Sequence, residues 1–174
     1  MMKKFILFLV IIFLFGCHST AMTTTKTNIT TDINKQQISQ IPIVGGVETL
    51  YIHPFDISFQ ARMDTGAETS SIDAKNIQPF ERDGEKWVSF DITNRKNNQT
   101  QHYEKPIVRK THIVRTLIEE SRYVVNMNLK MGNEIIDAEF TLNNRSKFEY
   151  QILIGRNIIN GRFIIDSSIE NTLH

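Results

Sequence analysis

The residues of this chain that invite chemistry begin at Asp64-Thr65-Gly66, inside the stretch ISFQARMDTGAETSS. Ile57, Phe59, Ala61 and Met63 alternate with polar residues, the pattern of a strand with one buried face. Asp64 follows directly, and a carboxylate carried into apolar surroundings costs several kcal/mol unless it is paired or used. Acid–base chemistry is the use that fits, because a carboxylate fixed at the end of a rigid element can take a proton from water or lend one to a leaving group. Thr65 adds a hydroxyl able to bond main chain across the turn. Gly66 permits a close backbone approach that a Cβ would block. Asp73, Asp91 and Asp166 compete for the same part, but none precedes a Thr-Gly or Ser-Gly pair, so all three read as structural.

Other chemistries find no pattern to rest on. The five histidines, His18, His53, His102, His112 and His174, are scattered without ligand spacing, and no His-Glu-x-x-His run occurs. Cys17 is the only cysteine, which excludes an internal disulfide and a cysteine-rich metal site. No GxxxxGK[ST] phosphate loop is present. Neither a metal nor a nucleotide is therefore expected as cofactor. A formal net charge of +1 over 174 residues argues against a general nucleic-acid binder.

The elements that must position Asp64 read as strands. With 40% hydrophobic and 22% charged residues the chain fits one globular domain, and the folded part is expected to span residues 41–174. Tyr123, Val125, Met127 and Leu129 share one face, Met131-Gly132-Asn133 turns the chain, and Ile136, Ala138, Phe140 and Leu142 return as an antiparallel partner. A second hairpin is expected around Asp83-Gly84, with Val88, Phe90 and Ile92 on one face. The segment QILIGRNII runs through Leu153 and Ile154 into Gly155 and Arg156, about ninety residues after Asp64, and leads into one short helical signal over residues 155–162.

A strand that delivers an acid into Asp-Thr-Gly resembles the catalytic turn of aspartic proteases. The later hydrophobic-hydrophobic-Gly element resembles the one that passes beside that turn in retropepsin-like domains. The pieces MDTGAETSSIDA, PFERDGEKWVSF, FTLNNR and ILIGRNIINGRFIID, spread over roughly residues 43–170, resemble a bacterial family that carries the label ATP-dependent zinc protease and has a retropepsin-like fold. The resemblance implies an all-β, retropepsin-like (acid protease) closed barrel with one short C-terminal helix. It makes Asp64 catalytic, Thr65, Gly66 and Ala67 its turn, and Leu153, Ile154, Gly155 and Arg156 the supporting element. Aspartic catalysis needs two carboxylates sharing a proton, and the chain holds one Asp-Thr-Gly, so the second must come from another copy in a two-fold homodimer. The zinc and ATP of the label find no residues to bind them.

The expected activity is that of an aspartic-type peptidase or amide hydrolase. The alternative is a non-catalytic peptide-binding module of the cell envelope that uses the same groove. Between Ile92 and Ile118, six basic residues face the single acid Glu104. Arg95, Lys105, Arg109 and Lys110 are the candidates there to meet substrate, and part of the segment is a candidate flap. A basic wall favours acidic peptides; a solvated hairpin with ordinary surface lysines is the other reading. The family resemblance adds a glutamate-rich or amide-linked substrate, because relatives stand beside ligases that add glutamates.

The N-terminus reads MMKKFILFLVIIFLFGC, two lysines and an apolar run from Phe5 to Phe15 before Cys17. Eleven helical residues span about 16 Å, roughly half of a hydrocarbon core, which suits a signal peptide better than a membrane span. LFGC resembles a bacterial lipobox, so residues 1–17 are expected to be a lipoprotein signal with Cys17 as the lipidated residue. An uncleaved anchor or an ordinary signal with an incidental cysteine is the alternative. Residues 18–40, rich in Thr, Asn and Gln, read as a flexible linker. The expected location is the cell envelope, lipid-anchored to a membrane. His18 after Cys17 favours the outer membrane, facing the periplasm, where two membranes exist.

Overall fold

The computed structural model describes residues 41–53, 57–115 and 118–173. The expected signal peptide with Cys17 and the linker over 18–40 lie outside the described residues. The chain forms eleven described strands and one short helix. These are β1 (Ile43–Ile52), β2 (Ile57–Met63), β3 (Ser70–Asp73), β4 (Lys75–Arg82), β5 (Glu85–Thr93), β6 (Thr100–Pro106), β7 (Arg109–Arg115), β8 (Ile118–Met131), β9 (Glu134–Asn143), β10 (Ile152–Ile154), α1 (Arg156–Ile159) and β11 (Ile164–Glu170).

Six strands close on themselves in the order β1-β2-β10-β3-β9-β8, and β8 returns to β1 through Leu50↔Met131 and Ile52↔Leu129. Closure removes the unpaired edges that an open sheet of this size would expose. The structure is thus the all-β, retropepsin-like closed barrel with a short helix that the sequence predicts. β11 adds to β1 outside the ring, β7 adds to β8, and β4, β5 and β6 form a separate three-stranded sheet.

Alternation places the core. On β8 and β9 the pairs Val125↔Phe140, Met127↔Ala138 and Leu129↔Ile136 match the expected hairpin, with its turn at Gly132-Asn133. The barrel interior also takes Leu50, Phe59, Ala61, Ile72, Ile152 and Ile154, all buried. Each fully buried Leu, Ile or Phe contributes about 2 kcal/mol through the area it removes from water. The β4–β5 hairpin also forms as expected, with Val88, Phe90 and Ile92 buried and Phe90 stacked on Tyr103 of β6 at 5.5 Å.

α1 is shorter than the sequence signal. Its last residue is Ile159, because Asn160 leaves helical geometry with ψ 123°. Ile158 and Ile159 are buried, so this one turn is fixed by packing; four residues hold too little helical hydrogen bonding to persist alone.

One buried carboxylate ties the C-terminus to the barrel. Glu48 on β1 is fully buried and accepts from Gly45 N (2.6 Å), Thr172 Oγ1 (2.7 Å), Thr172 N (3.1 Å) and Leu173 N (3.1 Å). Burial by itself raises its pKa. The bonds from Thr172, Gly45 and Leu173 together outweigh that and hold it below its ordinary value.

Candidate active site

β2 ends at Met63, and the next residue is pinned at once: Asp64 N donates to Ile154 O on β10 at 2.8 Å. The carboxylate is then held by the turn it opens, Oδ1 accepting from Gly66 N at 2.8 Å and from Ala67 N at 3.2 Å. A Cβ on Gly66 would come within 3.1 Å of that oxygen, so glycine is what lets the backbone N–H approach the acid. Asp64 is half-buried, whereas Thr65 and Gly66 are exposed. The carboxylate is therefore oriented by two backbone donors on a turn that faces out of the barrel.

The segment around Gly155 clamps this turn from behind. β10 lies between β2 and β3, with Ile154 opposite Met63 and Ile152 opposite both Ala61 and Ile72. A Cβ at Gly155 would meet the Thr69 carbonyl carbon at 2.9 Å and Ser70 N at 3.0 Å, so the two backbones touch only because the residue has no side chain. Arg156 N donates to Ala67 O (2.8 Å), and Asn157 N to Glu68 O (3.0 Å). The Arg156 Nη1 reaches Thr65 O at 3.1 Å and Gly66 O at 2.9 Å. The structure thus brings Leu153, Ile154, Gly155 and Arg156 together with Asp64, Thr65, Gly66 and Ala67.

Ser70 and Asn157 complete the clamp, and the sequence reading missed both. Asn157 Oδ1 accepts from Ser70 N (2.9 Å) and Ser70 Oγ (2.8 Å), Ser70 Oγ accepts from Gly155 N (2.9 Å), and Asn157 Nδ2 donates to Glu139 O (2.9 Å). A polar side chain directly after Gly155-Arg156 was the available signal, since an amide can serve a donor and an acceptor at once.

In front of the turn lies a cavity of about 430 Å³. Its lining includes Asp64 and Ser71, Thr111 and Arg122, and Arg145 and Phe148. Thr111 and Arg122 are register partners on β7 and β8, so this hairpin walls the cavity. Its first strand, β7, belongs to the basic segment between Ile92 and Ile118, part of which is the candidate flap.

The four basic candidates separate. Arg109 reaches the turn: its guanidinium donates to Glu139 Oε2 at 3.0 Å and to Thr69 Oγ1 at 3.3 Å. Lys110 lies over the Tyr123 ring at 5.4 Å. Lys105 sits on β6 opposite Val88 in the three-stranded sheet. Arg95 is held by Asp73 Oδ2 (2.7 Å), Arg145 O (2.6 Å) and Phe148 O (2.7 Å), which fastens the loop after β9.

The competing acids have partners of their own. Buried Asp73 takes the Arg95 guanidinium and Arg145 N (2.7 Å). Asp91 takes Asn76 Nδ2 and His102 Nδ1, both at 2.6 Å; these bonds, Asn76 first, hold its pKa below the usual carboxylate value. Exposed Asp166 takes Ser168 N and Oγ, and that side-chain bond leads the lowering of its pKa. Among the described residues no three His, Cys, Asp or Glu side chains gather as a metal-binding group.

A closed six-stranded barrel with an Asp-Thr-Gly turn and a hydrophobic-Gly strand locked behind it defines a retropepsin-like domain. The chain belongs to the RimB-like family, described as the retropepsin-like aspartic endopeptidase RimB, whose family model matches residues 43–172. It is 37% identical over 119 residues to a probable alpha-L-glutamate ligase of Desulfotalea psychrophila, covering 67% of this chain and 26% of that protein. It is 38% identical over 112 residues to a probable alpha-L-glutamate ligase of Parasynechococcus marenigrum, covering 63% and 24%. The match thus spans about a quarter of the length of these relatives. Among solved structures it is similar to Lpg0085 of Legionella pneumophila, a protein of unknown function, with TM-score 0.66 and 29% identity, over 76% of this chain and 98% of that one.

Proposed function

We propose that the chain is an aspartic-type amide hydrolase whose active site joins the Asp64 turns of two copies. The observation that carries this reading is the Asp64 carboxylate, oriented through Oδ1 by Gly66 N and Ala67 N while its turn stays exposed. A second copy related by a two-fold axis would bring the two carboxylates to about 3 Å, where they share one proton. The ionised carboxylate takes a proton from water as the oxygen adds to the amide carbon. The protonated one donates to the carbonyl oxygen, and collapse of the tetrahedral intermediate returns a proton to the leaving nitrogen. Water is consumed, and an acid and an amine are released.

The substrate in this reading is an acidic, glutamate-rich peptide. Two things support it: the matched region recurs within proteins named as alpha-L-glutamate ligases, and Arg109 borders the catalytic turn. A lipid anchor at Cys17, placing the enzyme at the cell envelope, is supported by the lipobox-like LFGC. Mass analysis of the mature protein tests that part, since a lipidated Cys17 at its N-terminus is the expected species.

The decisive experiment compares the purified protein with Asp64→Asn on oligoglutamate peptides at acidic pH. Hydrolysis by the first and its loss by at least about 1,000-fold in the variant, with unchanged unfolding, is the expected result. Retained hydrolysis in the variant removes the mechanism. If neither protein cuts but both bind the peptide, the chain is a binding module.

A further inference from the structure

Three charged side chains are buried among the described residues: Glu48, Asp73 and Arg145. Glu48 and Asp73 have their charge met by the bonds given above. Arg145 differs. It is only 7% exposed, yet it belongs to no ion pair among the described residues. A buried charge without a counter-ion is costly enough that folds seldom keep one that nothing uses.

The surroundings hold this guanidinium as a receptor would. Its main chain is fixed on both sides, Arg145 N donating to Asp73 Oδ1 at 2.7 Å while Arg145 O accepts from Arg95 at 2.6 Å and from Phe148 N at 2.9 Å. Its plane is fixed by Phe148, whose ring centroid lies 4.6 Å from Cζ, and by Nε, which donates to Tyr150 O at 3.1 Å. The two terminal nitrogens have no acceptor among the described residues, and the side chain lines the cavity that contains Asp64. Arg122 lines the same cavity from β8. Burial lowers the Arg145 pKa from its ordinary value. The Asp73 charge opposes that, Arg122 and Arg95 deepen it, and Asp64 opposes it again.

We propose that Arg145, with Arg122 beside it, is a carboxylate-binding subsite that takes the side-chain carboxylate of a substrate residue adjoining the cleaved bond. A guanidinium fork with two free nitrogens matches a carboxylate bidentately and gives an uncharged amide no equal partner. Phe148, 46% exposed, lies against one face of the guanidinium and keeps water from that side of it. Asp73 and Arg95 are positioning residues, because they set where Arg145 stands without touching the ligand. The subsite deepens the reading above by naming the groups that select an acid, and it rests on that reading for the bond that is cut.

Binding to Asp64→Asn protein separates the two ideas, since it needs no catalysis. The probes are a fluorescently labelled oligoglutamate peptide and the oligoglutamine peptide of equal length, read by anisotropy at fixed salt. The expected result is at least about 10-fold tighter binding of oligoglutamate, falling to within about 2-fold when Arg145→Gln is added. Arg145→Lys, which keeps the charge and loses the fork, is expected to fall between. Circular dichroism and thermal unfolding check that each variant folds; if Arg145→Gln does not, Arg122→Gln and Phe148→Ala take its place, each expected to narrow the discrimination. Equal binding of the two peptides by the Asp64→Asn protein overturns the subsite, as does discrimination that survives in every folded Arg145 variant. Peptides that bind with the expected discrimination but are never cut by the wild-type chain leave the subsite standing and remove the hydrolase.

Discussion

Gly155 shows how much one missing methyl group decides at the site. Replacing its hydrogen with a Cβ sets a carbon 2.9 Å from the Thr69 carbonyl carbon and 3.0 Å from both Ala67 O and Ser70 N. All three atoms are backbone, so none can swing aside, and the turn itself must move. Gly155→Ala is expected to cost about 1–3 kcal/mol of stability, the usual range for overpacking a tight contact, and to misplace Asp64. Urea unfolding measures the first effect; a midpoint equal to that of the wild type overturns the account of the clamp. Residues of this kind are legible when their partners are local in kind. Asp64-Thr65-Gly66 announces itself in three positions, and Gly155 stands out at the end of an apolar run. Arg145 does not announce itself, because an arginine between polar residues in FTLNNRSKFE reads as solvated surface. Only the folding of Asp73, Arg95 and Tyr150 around it shows that it is buried.

At the scale of elements, hairpins were legible from alternation, whereas among long-range partners only the Leu153–Arg156 segment beside the Asp64 turn was placed, and that through the family resemblance. Period-two alternation and turn residues lie within one short stretch, so β8–β9 and β4–β5 follow from the sequence with their faces correct. The parallel pairings β2–β10, β3–β9 and β1–β11 join segments about 70 to 120 residues apart, and alternation carries no label for such a partner. The same blindness hides Glu48. In GGVETL it reads as a polar outward residue, but the chain after β11 crosses over it and supplies its donors. This latch has a pH signature. The folded pKa of Glu48 lies below its ordinary value of 4.5, so its contribution is complete above that pH and disappears as pH falls through the folded value. Glu48→Gln is expected to be less stable by about 1–3 kcal/mol at neutral pH, with its unfolding curve converging on that of the wild type toward strong acid. Thermal unfolding across pH measures both, and two curves that run parallel exclude the latch as an acid-sensitive element.

The whole molecule raises the question of how many chains make one site. A single barrel presents one Asp64 on an exposed turn, and Asp73, Asp91 and Asp166 each have partners elsewhere, so the proposed dyad draws its second carboxylate from a second copy. The outer edge of the fold offers a place for one. Among the described residues β11 is the outermost strand beside β1, and Ile164 and Ile169 on it, each at 39% exposure, with Ile43 of β1 at 58%, put apolar surface on that side. An uncovered apolar edge invites pairing with another strand. Mixing discriminates a shared site from a complete one. When a fixed amount of wild-type chain is exchanged with an equal amount of Asp64→Asn chain, random assortment leaves about half of the wild-type chains in wild-type pairs. Hydrolysis is then expected to fall to about half, and to fall further as more variant is added, because each mixed pair holds one carboxylate and cannot divide the roles of acid and base. Activity proportional to wild-type chain alone, at every mixing ratio and after full exchange, would mean that each barrel works by itself. In that case the proton must be shared with a group inside one chain, and the exposed Asp64 turn would need no copy to face it.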